Sequence, residues 1–480
     1  MKRYTAILLS AAMLLCGFNT AAFAEGDTIS GKWQTPEVAP PANMHPRIYF
    51  TAEDIPAIKS NIQSEENQTA YQKLTDYINY TVTATEDYSA EKMAAIEGKA
   101  FYYAVFGDTR VGYAAVEGID AIRSVVRRDA QDITRVYGRM INVLSEVYDW
   151  CYDLLSDEQK QDIISLCTEI GSDMEIGWPP SKQGAVTGHG SEMQLLRDYL
   201  SFAIAVYDER PDIWNYIGGR FYEEYVPVRQ FTGKGNYNHQ GTNYGAGRDE
   251  ATAYAYMLIT GMGAEEPYPI ADLAGNMLSR IYMKRPDGNI FYDGDIYSNR
   301  KAPFDYFAES STGVLICAAK AENGYLKSEY LKMIQTRENG KTVQSYGDLS
   351  PVLHLILSSP NFSAKPTETL PLSRYMGTPY GIMTARTSWQ EGADAKSAAA
   401  VMKIGEYMFN NHQHLDSGNF EIYYKGLLAA EGGNYDLYGT EEHNMYTSKS
   451  VAHNTMLVYD PNEVRRDSDG NIINDRSNIN

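Results

Sequence analysis

The spacing of apolar residues changes once along this chain of 480 residues, near Leu370. Before that point, apolar residues recur every three or four positions, as in helices that bury one face. After it, short segments alternate apolar and polar residues, as in strands with one buried face. The predicted helical segments are 90–106, 132–155, 159–175, 191–208, 249–262 and 304–322. The predicted strands are Tyr380–Arg386, Ala398–Ile404, Asn419–Tyr424 and Asn454–Tyr459.

This order of elements predicts two domains, each long enough to hold its own core. A large set of helices with short links usually stacks in pairs, as an arc or a ring. We expect that helical domain over residues 25–368 and an antiparallel β domain, the start of a sandwich, over residues 369–480. Few strands precede the polar C-terminal residues, whereas a sandwich needs more strands to close two sheets. The sequence therefore resembles the front part of a longer protein.

The first 24 residues are organised like a secretory signal peptide. A basic start precedes an apolar run, and Ala22-Phe23-Ala24 forms a small-x-small cleavage site before Glu25. The apolar run is too short to span a membrane, and no later segment is long and apolar enough to do so. We therefore predict export to the periplasm, with cleavage near Ala24 and no membrane span.

The formal net charge of −20 argues against nucleic acid or an anionic membrane as the main partner. An anionic substrate would then need a local positive cleft. One stretch predicted to be helical is rich in arginine and is a candidate for that cleft, although a solvated helix face would explain some of its charges. Its arginines are Arg123, Arg127, Arg128, Arg135 and Arg139.

Two predictions concern groups that we expect to be buried. Signal cleavage leaves three widely spaced cysteines, which is not a disulfide framework, so free thiols are expected. A bridge between Cys151 and Cys167 is left open. His354 lies in the apolar segment 352–356 and is expected to be a hydrogen-bonded core residue.

Two histidines lie one residue apart in the segment 411–416, on what is predicted to be a strand. Alternate strand residues share a face, so His412 and His414 should point the same way. Imidazole and carboxylate ligands suit zinc, which leaves His412 for catalysis. The predicted ligands are His414, Glu431 and His453, with His443 and Asp416 as alternatives. A hydrogen-bonded polar cluster without metal is the competing interpretation.

Polar residues at helical spacing mark two further segments. His189 and Glu192 lie three residues apart at a predicted helix start and share one face. Tyr244 and Arg248 lie four apart at the start of another helix, after a glycine-rich segment that contains His239. A cation near a phenol favours the phenolate and lowers its pKa. Helix capping and an ordinary cation–π pair are the competing structural explanations.

Histidine, tyrosine and arginine together suit the cleavage of a uronate polymer by β-elimination. A base removes the proton beside the carboxylate, an acid protonates the departing glycosidic oxygen, and a further group neutralises the carboxylate. Hydrolysis would need two carboxylates flanking the bond, and Glu192 has no evident carboxylate partner near it. The residue types therefore favour elimination.

Ordered motifs along nearly the whole chain resemble the heparinase II/III-type polysaccharide lyases, most of all their heparinase II branch. The motifs are His45-Pro46-Arg47-Ile48-Tyr49, Val147-Tyr148-Asp149-Trp150-Cys151-Tyr152-Asp153, Gly188-His189-x-Ser191-Glu192, His239-Gln240-Gly241-x-x-Tyr244, Lys284-Arg285-Pro286-Asp287-Gly288, Leu372-Ser373-Arg374-Tyr375, Asn411-His412-Gln413-His414, Ile422-Tyr423-Tyr424-Lys425-Gly426 and Ala452-His453-Asn454. The resemblance implies an (α/α) toroid followed by antiparallel β-sandwich domains, which agrees with the apolar pattern.

The resemblance also implies roles for individual residues. Tyr244 would be the catalytic base and acid, with His189 and His412 as further catalytic residues. Glu192 would lie at the substrate carboxylate. The implied substrate-binding residues are Arg135, Arg248, Asn411 and His239. The implied zinc ligands are His414, a carboxylate and His453, and the family has aspartate where this chain has Glu431.

We therefore predict an exported lyase that cleaves heparin or heparan sulfate by β-elimination and leaves unsaturated uronate ends. One alternative is a lyase for another uronate polymer, such as alginate or chondroitin. The other is a non-catalytic protein that binds acidic polysaccharides, which would not need His189, Tyr244 and His412 together. Structural zinc is the predicted cofactor, and the oligomeric state is left open, with a homodimer as one option.

Overall fold

A computed structural model describes residues 28–128, 134–186, 188, 192–296, 311–338, 341–344, 350–392, 394–433, 435–457, 465–466 and 472–473. The predicted signal peptide, residues 1–24, lies outside these ranges. The described helices are α1 (Ile55–Gln63), α2 (Gln68–Asn79), α3 (Ala90–Phe106), α4 (Thr109–Arg123), α5 (Thr134–Trp150), α6 (Asp157–Ser172), α7 (Leu200–Ala205, entered through a π-helical turn at Gln194–Tyr199), α8 (Pro211–Arg220), α9 (Val226–Thr232), α10 (Gly241–Gly261), α11 (Ile270–Met283), α12 (Ser311–Lys320), α13 (Gly324–Met333) and α14 (Pro351–Leu357).

Six of these helices form a closed ring. Taken in the order α3, α5, α7, α10, α12 and α14, each packs against the next, and α14 packs back against α3. The helices α4, α6, α8, α11 and α13 each pair with a ring helix that is their neighbour in sequence. This arrangement is the (α/α) toroid that the resemblance implies, and each predicted helical segment overlaps at least one of these helices.

Local sequence signals fix where several helices begin. Side-chain oxygens of Ser89 and Asp108 accept hydrogen bonds from backbone N–H groups in the first turns of α3 and α4. Ser156 and Gln159 form a capping box at the start of α6. Such acceptors satisfy N–H groups that have no partner within the helix, which is worth about 1 kcal/mol for each cap. Residues next to each helix in sequence therefore help to fix where it starts.

The chain then forms an antiparallel sheet with the strand order β3-β4-β5-β6-β7. Two short hairpins, β1-β2 and β8-β9, flank it in sequence. The strands are β1 (Gln335–Glu338), β2 (Lys341–Gln344), β3 (Ser373–Met376), β4 (Ile382–Arg386), β5 (Ala399–Lys403), β6 (Phe420–Tyr423), β7 (Leu427–Ala429), β8 (Arg465–Arg466) and β9 (Ile472–Ile473). The described residues therefore contain one layer of the predicted antiparallel domain.

Three of the four strands listed above are present as β4, β5 and β6, whereas the segment 411–416, which was also predicted to be a strand, is not one. The strand predicted at Asn454–Tyr459 is wrong over its described residues, 454–457. Asn454 is attached to the sheet by its backbone N–H, which donates to Asn419 Oδ1, and by its side-chain amide, which donates to the Phe420 carbonyl. These bonds to a side chain and to a single carbonyl replace a strand ladder.

The two faces of the five-stranded sheet have different surroundings. One face packs on the helical region and forms a second core of Tyr237, Met283, Phe291, Met376, Tyr380, Ile382, Ala399, Val401 and Tyr423. On the other face Tyr375, Met383, Met402 and Phe420 are register partners on four neighbouring strands. Each of these four is at least 39% exposed, so they form a continuous apolar row on the surface of the sheet.

The predictions for His354 and the cysteines are confirmed. His354 Nδ1 lies 2.9 Å from Tyr330 Oη, and His354 Nε2 lies 2.8 Å from Asn67 Oδ1. Burial lowers the pKa of His354 to about 3, so the ring is neutral. Cys151, Cys167 and Cys317 are buried free thiols. No helix in the described ranges has both the length and the apolar character that a membrane crossing requires.

His45 ties the N-terminal segment to the helical region. Its Nδ1 lies 2.6 Å from Asp149 Oδ1, its Nε2 lies 3.2 Å from Asp208 Oδ2, and its ring stacks on Tyr152. Burial alone would lower the pKa of His45, and the nearby Arg47 also lowers it. The hydrogen bonds to the two carboxylates outweigh both effects, so the pKa of His45 is raised above its ordinary value.

Replacing His45 with glutamine should therefore cost more stability at low pH than at high pH. A histidine whose folded-state pKa is raised contributes stability that is fully present below its unfolded pKa of about 6.5. That contribution is lost as pH rises through the folded-state pKa. The measurement is the difference in urea unfolding free energy between unsubstituted protein and His45→Gln at about pH 6 and about pH 9. A difference that grows with pH would contradict this account.

Candidate functional site

The start of α10 meets the segment that precedes β6, and the two bring Tyr244 and His412 together. Their rings stack face to face, with centroids 3.5 Å apart and planes within 1° of parallel. Tyr435 joins them, because its Oη lies 2.8 Å from Tyr244 Oη. A phenol, an imidazole and a second phenol are thus contiguous. Such groups can remove, hold and return a proton at one position.

The centre of the site is Asp295, an aspartate that the sequence analysis did not select. Its Oδ2 accepts a hydrogen bond from His412 Nδ1 at 2.6 Å. Its Oδ1 accepts from His414 Nε2 at 2.9 Å and from His443 Nε2 at 3.1 Å. Burial alone would raise the pKa of Asp295, but these three hydrogen bonds hold it well below its ordinary value. The sequence signal that could have found it is the pair of carboxylates in Asp293-Gly294-Asp295, after an apolar segment.

The segment 293–295 also holds the start of α10. Asp293 Oδ2 accepts the backbone N–H of Thr242 at 2.8 Å, and Asn243 Nδ2 donates to the Asp295 carbonyl at 3.0 Å. The Asp295 backbone N–H donates to the His412 carbonyl at 3.2 Å. One short segment therefore links the helix that carries Tyr244 to the backbone of His412.

The predicted zinc ligands lie together. His414 Nδ1 is 3.1 Å from His453 Nε2, and His453 Nε2 is 3.1 Å from Glu431 Oε2. His453 Nδ1 lies 2.7 Å from the Lys449 carbonyl, which can only accept, so the proton is on Nδ1. His414 Nε2 likewise donates to the Asp295 carboxylate. Two nitrogen lone pairs and a carboxylate therefore face one another. All three groups are acceptors, so a cation between them is needed to offset their mutual repulsion.

These residues fit zinc. Ligand atoms around a tetrahedral zinc with bonds of about 2.1 Å lie about 3.4 Å apart, close to the spacing of this triad. Hydrogen bonds to the outer nitrogen of each imidazole are also usual at metal sites, because they fix the tautomer. A proton is the other cation that could fill the position. Burial alone would lower the pKa of His453 and so disfavour the extra proton. The hydrogen bond to Glu431 and its negative charge outweigh burial, so the pKa of His453 is raised.

The alternative ligands are explained without a metal. Asp295, His414 and His443 bring possible ligand atoms within 4.8 Å of one another. There, however, a carboxylate accepts N–H groups from imidazoles, so donors and acceptors already match. Asp416 forms an ion pair with Lys403. The donor and acceptor pattern therefore favours the triad that contains Glu431.

Glu192 lies on the helical side of the site and is 1% exposed. Its Oε2 accepts a hydrogen bond from Arg229 Nη2 at 2.6 Å. Burial raises the pKa of Glu192, and the positive charges of Arg229 and Arg248 oppose that rise. Arg229 was not selected from the sequence. Glu192, Arg229, Arg248 and His239 line one small cavity, so the structure brings three of the predicted residues together.

His239 and Asn411 contact the backbone of the segment that precedes Glu192. His239 Nε2 lies 2.8 Å from the Val186 carbonyl, and burial lowers the pKa of His239 to about 3, so the neutral ring donates its proton. Asn411 Nδ2 donates to the Gly188 carbonyl at 3.3 Å. These contacts hold the backbone of Val186 and Gly188 beside the site, and a direct role in substrate binding stays a prediction for both His239 and Asn411.

Two of the predicted site residues cannot be placed. His189 lies outside the described residues. Arg135 belongs to the first turn of α5, but its side chain is outside the description. The catalytic role of His189 and the binding role of Arg135 therefore stay predictions.

The prediction that the arginine-rich stretch is one helical stretch is wrong, because α4 ends at Arg123 and α5 begins at Thr134. Between them the Val126 backbone N–H donates to the Glu86 carbonyl instead of continuing the helix. The four described guanidinium groups each pair with carboxylates. The pairs are Arg123 with Asp162, Arg127 with Glu169 and Asp173, Arg128 with Asp87, and Arg139 with Glu97 and Glu146. Acidic neighbours thus balance the charge expected to form a cationic cleft.

Residues 380–476 match a family model described as heparinase II/III-like, C-terminal. This segment belongs to that domain family. The heparinase II/III-like domain contributes His412, Tyr435 and the triad of candidate zinc ligands, whereas the helical region contributes Tyr244 and Asp295. The site therefore lies where the two regions meet, and the narrower resemblance to heparinase II stays a prediction.

Solved structures with a similar arrangement include a heparinase III, with 14% identity and a TM-score of 0.40 over 76% of this chain and 54% of that one. The heparan sulfate lyase HepC from Pedobacter heparinus has 14% identity and a TM-score of 0.41 over 81% and 61%. A variant of the chondroitin AC lyase of Streptomyces coelicolor A3 has 11% identity and a TM-score of 0.40 over 73% and 53%. The chain thus spans less than two thirds of each. No curated protein sequence matches it significantly.

Proposed function

We propose that this protein is a polysaccharide lyase that cleaves a heparin- or heparan sulfate-type glycosaminoglycan by β-elimination at uronic acid. The observation that carries the proposal is the parallel stack of Tyr244 on His412, with Tyr435 in hydrogen-bonding distance of the Tyr244 hydroxyl. The heparinase II/III-like domain that supplies His412 supports the same activity class. The substrate partner is an acidic polysaccharide.

Elimination requires one proton to leave the carbon beside the uronate carboxylate and another to reach the departing glycosidic oxygen. Tyr244 as a phenolate takes the first proton, and the resulting phenol delivers a proton to the oxygen as the carbon–oxygen bond breaks. Tyr435 can donate a hydrogen bond that stabilises the phenolate, and His412 packs against the same ring. The motif resemblance implies a further catalytic role for His189. Each positioned acid or base contributes roughly 10²- to 10⁴-fold.

The carboxylate of the substrate must be neutralised before a carbanion can form next to it. Burial raises the pKa of Glu192, which favours the neutral acid that could donate a hydrogen bond to that carboxylate. Arg229 and Arg248 add positive charge to the same cavity. These three groups form the part of the site that would recognise a uronate.

Zinc, where bound by His414, Glu431 and His453, would cross-link the segments that carry these residues. Elimination needs no metal-bound water, so the metal is assigned a structural role. We further propose export to the periplasm through the N-terminal signal sequence.

A lyase for a less sulfated uronate polymer, such as alginate or chondroitin, is the second candidate. It is favoured by the pairing of Arg123, Arg127, Arg128 and Arg139 with carboxylates, which leaves less net positive charge for sulfates. A panel of purified polysaccharides that differ in sulfation would rank the two candidates.

The product of the reaction should carry a carbon–carbon double bond conjugated with the carboxylate. Elimination creates that bond, whereas hydrolysis adds water and leaves none. We expect the full-length protein to depolymerise at least one member of the panel with a parallel rise in ultraviolet absorbance. Depolymerisation without the absorbance would establish hydrolysis, and binding without depolymerisation would establish a non-catalytic polysaccharide-binding protein.

A further inference from the structure

We propose that Asp295 is a positioning residue that fixes the proton of His412 on Nδ1, so that Nε2 is the nitrogen of that ring with a lone pair. The geometry that carries this inference is the hydrogen bond of 2.6 Å between His412 Nδ1 and Asp295 Oδ2. An ionised carboxylate can only accept, so the imidazole must be the donor. The catalytic consequence rests on the proposed function, but the position of the proton does not.

A second link makes the orientation rigid. The Asp295 backbone N–H donates to the His412 carbonyl. Asp295 and His412 are therefore joined by a backbone hydrogen bond as well as by the side-chain hydrogen bond. Gly294 allows this approach. It has a φ of 118°, and a Cβ added there would lie 2.5 Å from the His412 carbonyl oxygen. Because neither contact tolerates displacement, the ring of His412 has little freedom to turn.

The same segment sets the position of Tyr244. Asp293 accepts the backbone N–H of Thr242, and Asn243 donates to the carbonyl of Asp295. Tyr244 follows in the same turn of α10. The stack of Tyr244 on His412 is thus defined from both sides by residues 293–295.

Asp295 also connects the reacting histidine to the metal triad. Its Oδ1 accepts from His414 Nε2, which leaves His414 Nδ1 to face His453 and Glu431. One fully buried carboxylate therefore selects the tautomer of two histidines, one for the reaction and one for the metal. This explains why a carboxylate from the helical region belongs to a site whose histidines come from the β domain.

Substitution of Asp295 with asparagine tests the proposal. Asparagine keeps the shape, but its amide can donate to His412 Nδ1 and so favours the proton on Nε2. In a serine protease triad the same change leaves the geometry intact and costs about 10⁴-fold in turnover through the wrong tautomer. We expect a loss of about 10²- to 10⁴-fold in kcat with little change in KM.

Asp149→Asn is the matched control. Asp149 is equally buried and its Oδ1 lies 2.6 Å from His45 Nδ1, but neither residue is among those that form the site. Asp149→Asn should lower the melting temperature and leave kcat unchanged. A kcat for Asp295→Asn equal to that of the unsubstituted protein would overturn the proposal.

A spectroscopic readout separates this proposal from the proposed function. Selective ¹⁵N labelling of histidine in the full-length protein, at a pH where His412 is neutral, reports which ring nitrogen bears the proton. We expect Nδ1–H for His412 in the unsubstituted protein, and Nε2–H in its place would overturn the inference. This measurement needs neither a folded variant nor activity. Absence of cleavage of every polysaccharide would therefore count against the proposed function alone.

Discussion

Replacing Tyr244 with phenylalanine is expected to lower turnover at least ~10²-fold while leaving substrate binding largely intact. The phenylalanine ring can keep the stack on His412, whose centroid lies 3.5 Å away. The substitution removes only the hydroxyl, which lies 2.8 Å from Tyr435 Oη and is the group assigned to proton transfer. The measurement is kcat and KM from the ultraviolet absorbance of the unsaturated product.

A buried residue remote in the fold provides the comparison for Tyr244→Phe. His354→Ala should lower stability, since His354 bonds both Tyr330 and Asn67 in the helical core, but should affect turnover little. Turnover close to normal in Tyr244→Phe would show that Tyr244 is not the proton-transfer group. A large rise in KM with unchanged kcat would show instead that the hydroxyl binds substrate.

Replacing His453 with alanine should remove bound zinc and lower stability together. His453 Nε2 lies 3.1 Å from both other members of the triad, so its loss leaves too few ligands. A ligand that binds only the folded state contributes about 2.7 kcal/mol at about a hundred times its Kd, and metal bound to folded protein follows the same rule. Elemental analysis and thermal unfolding of the same samples provide the two measurements.

His443→Ala is the matched control for this variant. His443 donates to Asp295, and its ring lies 6.4 Å from the ring of His414, but it is not one of the three ligands, so its removal should leave the zinc content largely unchanged. Zinc lost from His443→Ala and retained by His453→Ala would move the metal to the group formed by Asp295, His414 and His443. Elemental analysis that finds no zinc in fully folded unsubstituted protein would leave a proton as the cation between the imidazoles.

The elements of the fold could be predicted because their signals are local. The helix predicted over 90–106 has the observed bounds of α3, where Ser89 caps the start and Gly107 ends the helix in a left-handed conformation. Alternation of apolar residues located β4, β5 and β6 in the same way. The ring itself needed the resemblance, since period and capping do not specify which helices pack together.

The connections within the site could not be predicted, because they join distant parts of the chain. Asp295 is 117 positions from His412, and Tyr244 is 191 positions from Tyr435. The paired carboxylates of Asp293-Gly294-Asp295 mark this segment, but nothing local indicates that Asp295 contacts the histidines. The histidine and glutamate candidates for zinc ligands could be selected because zinc chemistry restricts the residue types. The pairing of the arginines with carboxylates likewise depends on the fold and not on sequence spacing.

The apolar row of Tyr375, Met383, Met402 and Phe420 affects how any measurement of association should be interpreted. Contiguous apolar surface of this kind tends to bind other apolar surfaces in water. Light scattering or gel filtration of this chain would therefore respond to adhesion between sheet faces as well as to a specific homodimer. A dimer that persists when Met402 is replaced by lysine is held by some other surface. A dimer that disappears with that substitution depends on the apolar row of this sheet face.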